Sequence, residues 1–319
     1  MNSLLRIPYA LAGAIAQGLT YAVPDGDSKF RRGLAARRGI LRRYREWGAT
    51  RRDPSRPLVW FHAPSVGEGL QALPVLQLLR SRRPDVQIAY THYSPSAENF
   101  ARSTAADFVD YLPFDTFTAA AAVISALQPT ALVFSKLDVW PALTETAARR
   151  NVRVGLISAT LPASSARRSR LGRRALADAY GALDEVGAIS AEDAGLLREQ
   201  GVRPDALRVT GDTRYDQVWV RAQAAASALV DSLRSSSPTL VAGSTWPADE
   251  VHLLAAWIEV KKHLSKARLI IAPHELTEGH LRDVTDWARA NDLALSRVSS
   301  AGHAAADVLL VDRYGVLGD

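Results

Sequence analysis

Leu58 to Ala63 is an apolar run without the alternation of a half-wet strand, and such a run fits a strand covered on both faces. Pro64, Gly67 and Gly69 break it. Apolar residues then return at Leu70, Leu73, Leu76 and Leu78–Leu79, which is helical spacing. The stretch Leu58-Val-Trp-Phe-His-Ala-Pro-Ser-Val-Gly-Glu-Gly69 therefore reads as a buried strand, a tight turn and a helix with Glu68 in its first turn. A carboxylate is thereby held at the carboxyl edge of a parallel sheet, where open α/β folds place their ligands. The segment alone leaves two readings of Glu68: a charge that complements the helix dipole, or a functional carboxylate.

The pattern recurs along the chain. Strand-like runs at 58–62, 86–91, 108–112, 131–134, 152–158, 185–190 and 207–210 alternate with helical stretches near 69–82, 97–105, 117–127, 140–149, 170–183 and 192–200. Strands joined by crossover helices make a doubly wound, mainly parallel sheet. Residues 216–235 form an Ala-rich helical connector ending in Ser235-Ser236-Ser237-Pro238. Alternation resumes with strands at 239–242, 268–272 and 307–311 and helices at 247–263 and 276–290. Two or three strands leave a sheet with an exposed edge and uncovered faces, so the second domain is expected to be incomplete. The expected divisions are 1–24, 25–56, 57–215, 216–237 and 238–319.

Charge is concentrated rather than spread. Eleven Lys or Arg stand between Lys29 and Arg56 against Glu46 and Asp53, a basic collar over 25–56. Arg167, Arg168, Arg170, Arg173 and Arg174 form a second cluster. Such clusters suit nucleic acid, an anionic membrane or a phosphorylated ligand. Nucleic acid is disfavoured, because aromatics are not interleaved and no recognised binding motif is present. Before the collar, Leu4–Val23 is weakly apolar and interrupted by Arg6, Pro8, Gln17 and Thr20. It is just long enough to cross a bilayer, or to lie in the interface. The positive charge that follows resists export. Residues 1–24 are therefore expected to anchor the protein at the cytoplasmic face of the inner membrane, a soluble core helix being the alternative. The chain has no cysteine, which excludes disulfides, thiolate metal sites and thiol catalysis.

Four turns stand where strands end: Ser65-Val-Gly-Glu68, Ser135-Lys-Leu-Asp-Val-Trp-Pro141, Gly211-Asp-Thr-Arg-Tyr-Asp216 and Gly243-Ser-Thr-Trp-Pro247. Amides and small hydroxyl residues at a helix start form a ready anion site. Each turn taken singly also reads as a cap or as turn punctuation. His62 reads as a satisfied core histidine or as a residue lining a cleft. His92 and His303 lack partners at metal-ligand spacing, so no metal site is expected. Ser65 lacks the Gly-x-Ser-x-Gly elbow of a nucleophilic serine.

Taken in order, with Asp249–Glu250 and Ile271-Ala-Pro-His-Glu275, these motifs make the chain resemble the 3-deoxy-D-manno-octulosonic acid (Kdo) transferases of lipopolysaccharide synthesis. The resemblance implies a GT-B architecture, two Rossmann-like domains facing a cleft. It implies transfer of Kdo from CMP-Kdo to the lipid A precursor, with inversion and without a metal or other cofactor. Glu68 would be the general base, and one carboxylate suffices because CMP leaves without a strong acid. Ser65, Gly67, Asp138, Arg167, Arg168 and Arg170 would serve the acceptor. Arg214, Ser244, Thr245, His274 and Gly315 would serve the donor, and the collar would meet anionic lipids. Many relatives carry Glu in place of Asp138, Lys in place of Arg214 and His in place of Trp246. The relatives also continue past the last residue here. The alternatives are a non-catalytic binder of lipid A or membrane lipid, and another GT-B nucleotide-sugar enzyme.

Overall fold

A computed structural model describes residues 3–162, 164–223, 231–300 and 306–314. The chain divides into two compact units, one through Gln217 and the other from Val218. In the first, seven strands pair in the order β3-β2-β1-β4-β5-β6-β7. They are β1 (Leu58–His62), β2 (Gln87–His92), β3 (Phe108–Tyr111), β4 (Ala131–Ser135), β5 (Arg153–Ala159), β6 (Glu185–Ala188) and β7 (Leu207–Val209). Every pairing is parallel. Helices α4 (Val66–Arg82), α5 (Glu98–Ser103), α6 (Phe117–Leu127), α7 (Pro141–Arg149), α8 (Arg170–Gly181) and α9 (Ala191–Gln200) connect them.

Pleating sends successive residues of β1 to opposite faces. Trp60 joins a core with Tyr44, Leu132, Phe134 and Leu156, while Phe61 joins Ala72, Leu76, Ile88 and Tyr90 on the other side. Both faces are covered, which is why this strand reads as one continuous apolar run. Strand order reverses between β1 and β4, which pair from Val59↔Ala131 to His62↔Phe134. The chain winds outward from β1 in one direction and outward from β4 in the other. The carboxyl ends of these two strands therefore border the crevice at the switch point.

The basic collar is partly architecture. It folds as α2 (Lys29–Ala35) and α3 (Ile40–Thr50), with Ile40, Tyr44 and Trp47 of α3 buried. Arg37 is buried rather than turned to lipid; it donates to the carbonyls of Gly33, Tyr93 and Leu112. Arg43 grips both carboxylate oxygens of Asp110, and Arg52 serves the carbonyls of Leu127 and Gln128. These three arginines satisfy buried or half-buried acceptors of the fold, while Lys29, Arg31, Arg32, Arg42, Arg45 and Arg51 are exposed.

Gly48 lets α3 approach α6 closely, since a Cβ there would stand 2.3 Å from the backbone oxygen of Ala126. Gly48→Ala gains about 1 kcal/mol of helix propensity. It forces a rigid backbone clash costing about 1–3 kcal/mol. The clash is expected to win, lowering the midpoint of urea unfolding. A raised midpoint would show that α3 can move away from α6 at little cost.

Of the two expectations for the amino-terminal segment, crossing a bilayer or lying in its interface, the first finds no support. Among the described residues no helix is long and apolar enough to cross a membrane. Helix α1 (Ser3–Ala22) is instead tied to the first unit along one side. Tyr9 donates to Asp115 at 2.6 Å, Arg6 pairs with Glu145 at 3.3 Å, and the Arg6 guanidinium stacks over Phe117. Arg38 donates to the end-of-helix carbonyls of Thr20 and Val23, where the helix dipole favours a cation. Two of the interruptions in this segment, Arg6 and Thr20, thus have partners in the fold. Ile7, Leu11, Ile15 and Leu19, four residues apart, form an exposed apolar stripe.

The second unit holds a parallel sheet ordered β10-β11-β9-β8. Its strands are β8 (Thr239–Thr245), β9 (Arg268–Pro273), β10 (Leu295–Arg297) and β11 (Val308–Leu310). The sequence pattern expects strands only at β8, β9 and β11; β10 is short and half polar, so its periodicity carries no signal. Helices Pro247–His263 and Glu278–Ala290 pack Trp257, Leu281 and Val284 against Leu269, Ile271, Val308 and Leu310. Between the units, α10 (Arg214–Gln223) is helical as expected of the connector. Residues 224–230 of that connector lie outside the described residues.

Candidate functional site

The turn after β1 makes Ser65 the N-cap of α4, yet its hydroxyl does not cap a backbone amide. It donates instead to the carboxylate of Glu68, one turn on. Ser135, at the end of β4, donates to the Glu68 carbonyl at 2.9 Å. Gly69 allows the close packing that places this turn: a Cβ there would stand 2.3 Å from the Phe100 ring and 2.6 Å from the Tyr90 hydroxyl. Gly67 has no such neighbour, the nearest atom to a Cβ being Ser65 Oγ at 3.7 Å.

Across the switch point, the turn after β4 faces this carboxylate. Lys136 brings its ammonium 3.9 Å from Glu68 Oε1. Asp138, two residues on, accepts from Arg167. Burial raises the Asp138 carboxyl above its usual range, and the Arg167 guanidinium opposes that rise. The structure thus gathers Ser65, Glu68, Lys136, Asp138 and Arg167 at one place. Lys136 was not singled out by motif reading; its signal was a basic residue directly after a buried strand.

The other basic residues divide. Arg168 pairs with Glu199 at 3.2 Å. Arg170, Arg173 and Arg174 are exposed at the start of α8. Cations there oppose the helix dipole, so local stability does not account for their placement. Asp115 supports the Trp140-Pro141 turn, accepting from the amides of Ala142 and Leu143 at 3.0 and 2.9 Å.

The Gly211–Asp216 turn joins this site through a residue the motifs did not reveal. Gln71, one turn beyond Glu68 on α4, donates to Asp212 at 2.8 Å, and Thr213 donates to the Gln71 carbonyl at 2.6 Å. Ser158, held at a φ of 47° in β5, exchanges a 2.6 Å hydrogen bond with Thr213. Arg214 follows on the surface of this same unit.

His62 is a core histidine. It is buried, its Nδ1 lies 2.9 Å from Thr91 Oγ1, and its ring packs edge-on against Trp140. Burial pushes its imidazole down to about 3. The unfolded chain takes up this proton near pH 6.5, so stability is full above that value and is lost as pH falls towards 3. The expected loss reaches about 1.4 kcal/mol per pH unit below 6.5. Melting curves at pH 7, 6 and 5 should fall more steeply for the wild type than for His62→Asn; parallel slopes would refute the buried neutral imidazole.

In the second unit, Ser244 takes a φ of 59° at the end of β8, and its Oγ lies 2.8 Å from His274 Nδ1. His274 stacks on Trp246 with centroids 4.4 Å apart. Thr245 turns inward and donates to the buried Glu250 at 2.6 Å, so its hydroxyl is committed to the fold. Gly315 and His303 lie outside the described residues. Among the described residues no three His, Cys, Asp or Glu side chains gather where a metal could sit.

A family model described as 3-deoxy-D-manno-octulosonic-acid transferase (kdotransferase) matches residues 33–217. The curated 3-deoxy-D-manno-octulosonic acid transferase of Bordetella pertussis is 31% identical over 186 residues, 57% of this chain and 43% of that one. The enzyme of the same name from Haemophilus influenzae is 24% identical over 240 residues, 75% of this chain and 52% of that one. The chain therefore spans about half the length of these relatives. Among solved structures, UDP-GlcNAc 2-epimerase from Neisseria meningitidis shares the fold, with a TM-score of 0.60 at 13% identity over 82% of this chain and 73% of that one.

Proposed function

Since this chain belongs to the 3-deoxy-D-manno-octulosonic-acid transferase family, we propose that it acts in moving Kdo from CMP-Kdo to a lipid A precursor as a GT-B glycosyltransferase. The observation that carries this reading is the pairing of Glu68 with the Lys136–Asp138 turn across the β1–β4 switch point.

In the proposed reaction Glu68 takes the proton of the acceptor hydroxyl as that oxygen attacks the anomeric carbon from the side opposite the leaving group. Inversion follows from this single displacement. CMP departs with the electron pair of the broken C–O bond on its phosphate, so no second carboxylate is needed as a strong acid and no metal is invoked. Ser65 orients the base. Asp138 orders Arg167, and Arg170 with its exposed neighbours Arg173 and Arg174 meets the acceptor's phosphates. Ser244 and His274 serve the phosphate of the donor.

The apolar stripe of α1, followed by exposed basic residues, suits a helix lying in the surface of the inner membrane on its cytoplasmic side. Replacing Ile7, Leu11 and Ile15 together by Ser is expected to weaken co-sedimentation with anionic vesicles by about tenfold or more. Undiminished sedimentation would remove the stripe from the membrane contact.

The reading as a whole is tested by incubating the chain with CMP-Kdo generated in situ and the lipid A precursor, then weighing the lipid product. A mass gain of one octulosonic acid unit is expected. Unchanged acceptor beside intact donor, with the protein folded, would overturn it.

A further inference from the structure

Lys136 follows β4 directly with a φ of 69°. A non-glycine residue holds that left-handed conformation only where its surroundings impose it. Here they do: its amide donates to Ile157 at 2.9 Å, and its carbonyl accepts from the amide of Thr160 at 3.3 Å. Both partners belong to β5 or the residue after it. The turn is therefore clamped from the neighbouring strand, and its side chain is presented to Glu68.

The ammonium does not complete a hydrogen bond with that carboxylate. At 3.9 Å it lies outside hydrogen-bond range, so Glu68 takes up none of its three donors. The Lys136 side chain is 31% exposed, open to a ligand. Arg167, the neighbouring cation, is already bonded to Asp138.

The chemistry of an ulosonic acid gives this cation a task. Its carboxyl group is attached directly to the anomeric carbon. A base that serves attack on this carbon must bring a second carboxylate close to the first, and like charges at such distances repel strongly. A cation between them removes the conflict. We propose that Lys136 binds the carboxylate of the incoming octulosonic acid and so lets Glu68 work beside it. The assignment rests on the transfer reaction proposed above. When the acceptor proton passes to Glu68, Lys136 loses its counter-ion there and its hold on the sugar carboxylate tightens as the C–O bond to CMP breaks.

The test compares free 3-deoxy-octulosonic acid with its carboxamide by NMR titration of the full chain. The wild type is expected to bind the acid about tenfold or more tightly than the amide, the usual worth of a charge-assisted hydrogen bond. Lys136→Gln should bind both with the affinity of the amide, and Lys136→Arg should restore most of the preference. In the wild type, the Lys136 Nζ resonance should shift with the acid and stay in place with the amide, a readout independent of any variant. A preference retained in Lys136→Gln, or an unmoved Nζ resonance beside a binding acid, would overturn the assignment and leave the transferase reading intact. If the wild type binds neither sugar and transfers none, both fall.

Discussion

Glu68→Gln is expected to lower octulosonic acid transfer by about 10²–10⁴-fold, the usual worth of a positioned general base. Glutamine keeps the shape of the side chain and can still accept from Ser65, but it cannot take a proton from an attacking hydroxyl. Its fold should be intact, because the α4 turn is also held by the Ser135 bond to the Glu68 carbonyl and by the packing at Gly69. Acceptor affinity should change little while the rate of transfer collapses, a split that a structural role would not produce. Ser65→Ala, which removes only an orienting bond, should cost about tenfold or less. Transfer by Glu68→Gln within a few-fold of the wild type would assign the base elsewhere. In that case Glu68 would serve as a helix-dipole complement with Lys136 as its ion-pair partner.

Arg37→Met is expected to be the most destabilising single change in the first unit. The guanidinium donates to three carbonyls and lies over the rings of Tyr93, Tyr111 and Phe114, at 4.0, 5.3 and 5.2 Å from their centroids. Burial pushes its ionisation down, which the nearby Tyr93, Tyr111, Tyr44 and Asp110 counter. Methionine fills much of the space yet leaves the acceptors of Gly33, Tyr93 and Leu112 without donors. Each such orphan costs about 1–3 kcal/mol, so a total of about 3–9 kcal/mol is expected, or roughly 10 °C or more in the melting temperature of a unit this size. Arg37→Lys should recover only part of it, since one ammonium cannot reach three acceptors spread over a planar fork. A loss below about 1 kcal/mol would mean that water replaces the missing donors.

The same arginine explains where reading the sequence fell short. Arg37 stands in a run of cations, and a run of cations reads as a surface. Its neighbours Tyr93, Tyr111 and Phe114 lie far along the chain, so its role is set by long-range packing. Helix α1 taught a related lesson in the opposite sense. Arg6 and Thr20 look like interruptions of an anchor, but Arg6 pairs with Glu145 and Thr20 is buried, with its carbonyl bonded to Arg38. Helices Phe117–Leu127 and Pro247–His263 were legible to the residue, because each carries a local helical pattern and a start signal at Thr116 or Pro247.

What the sequence determined by itself was the class of fold and the position of Glu68 in a strand–turn–helix unit. Both depend on short-range periodicity, the alternation of apolar runs with helical spacing and glycine breaks. Tertiary structure alone decided that β1 lies beside β4, 72 residues away at Val59↔Ala131. That adjacency places Lys136 against Glu68. Strand neighbours are chosen by which faces can be buried together, a property of the whole sheet, and no local pattern records it.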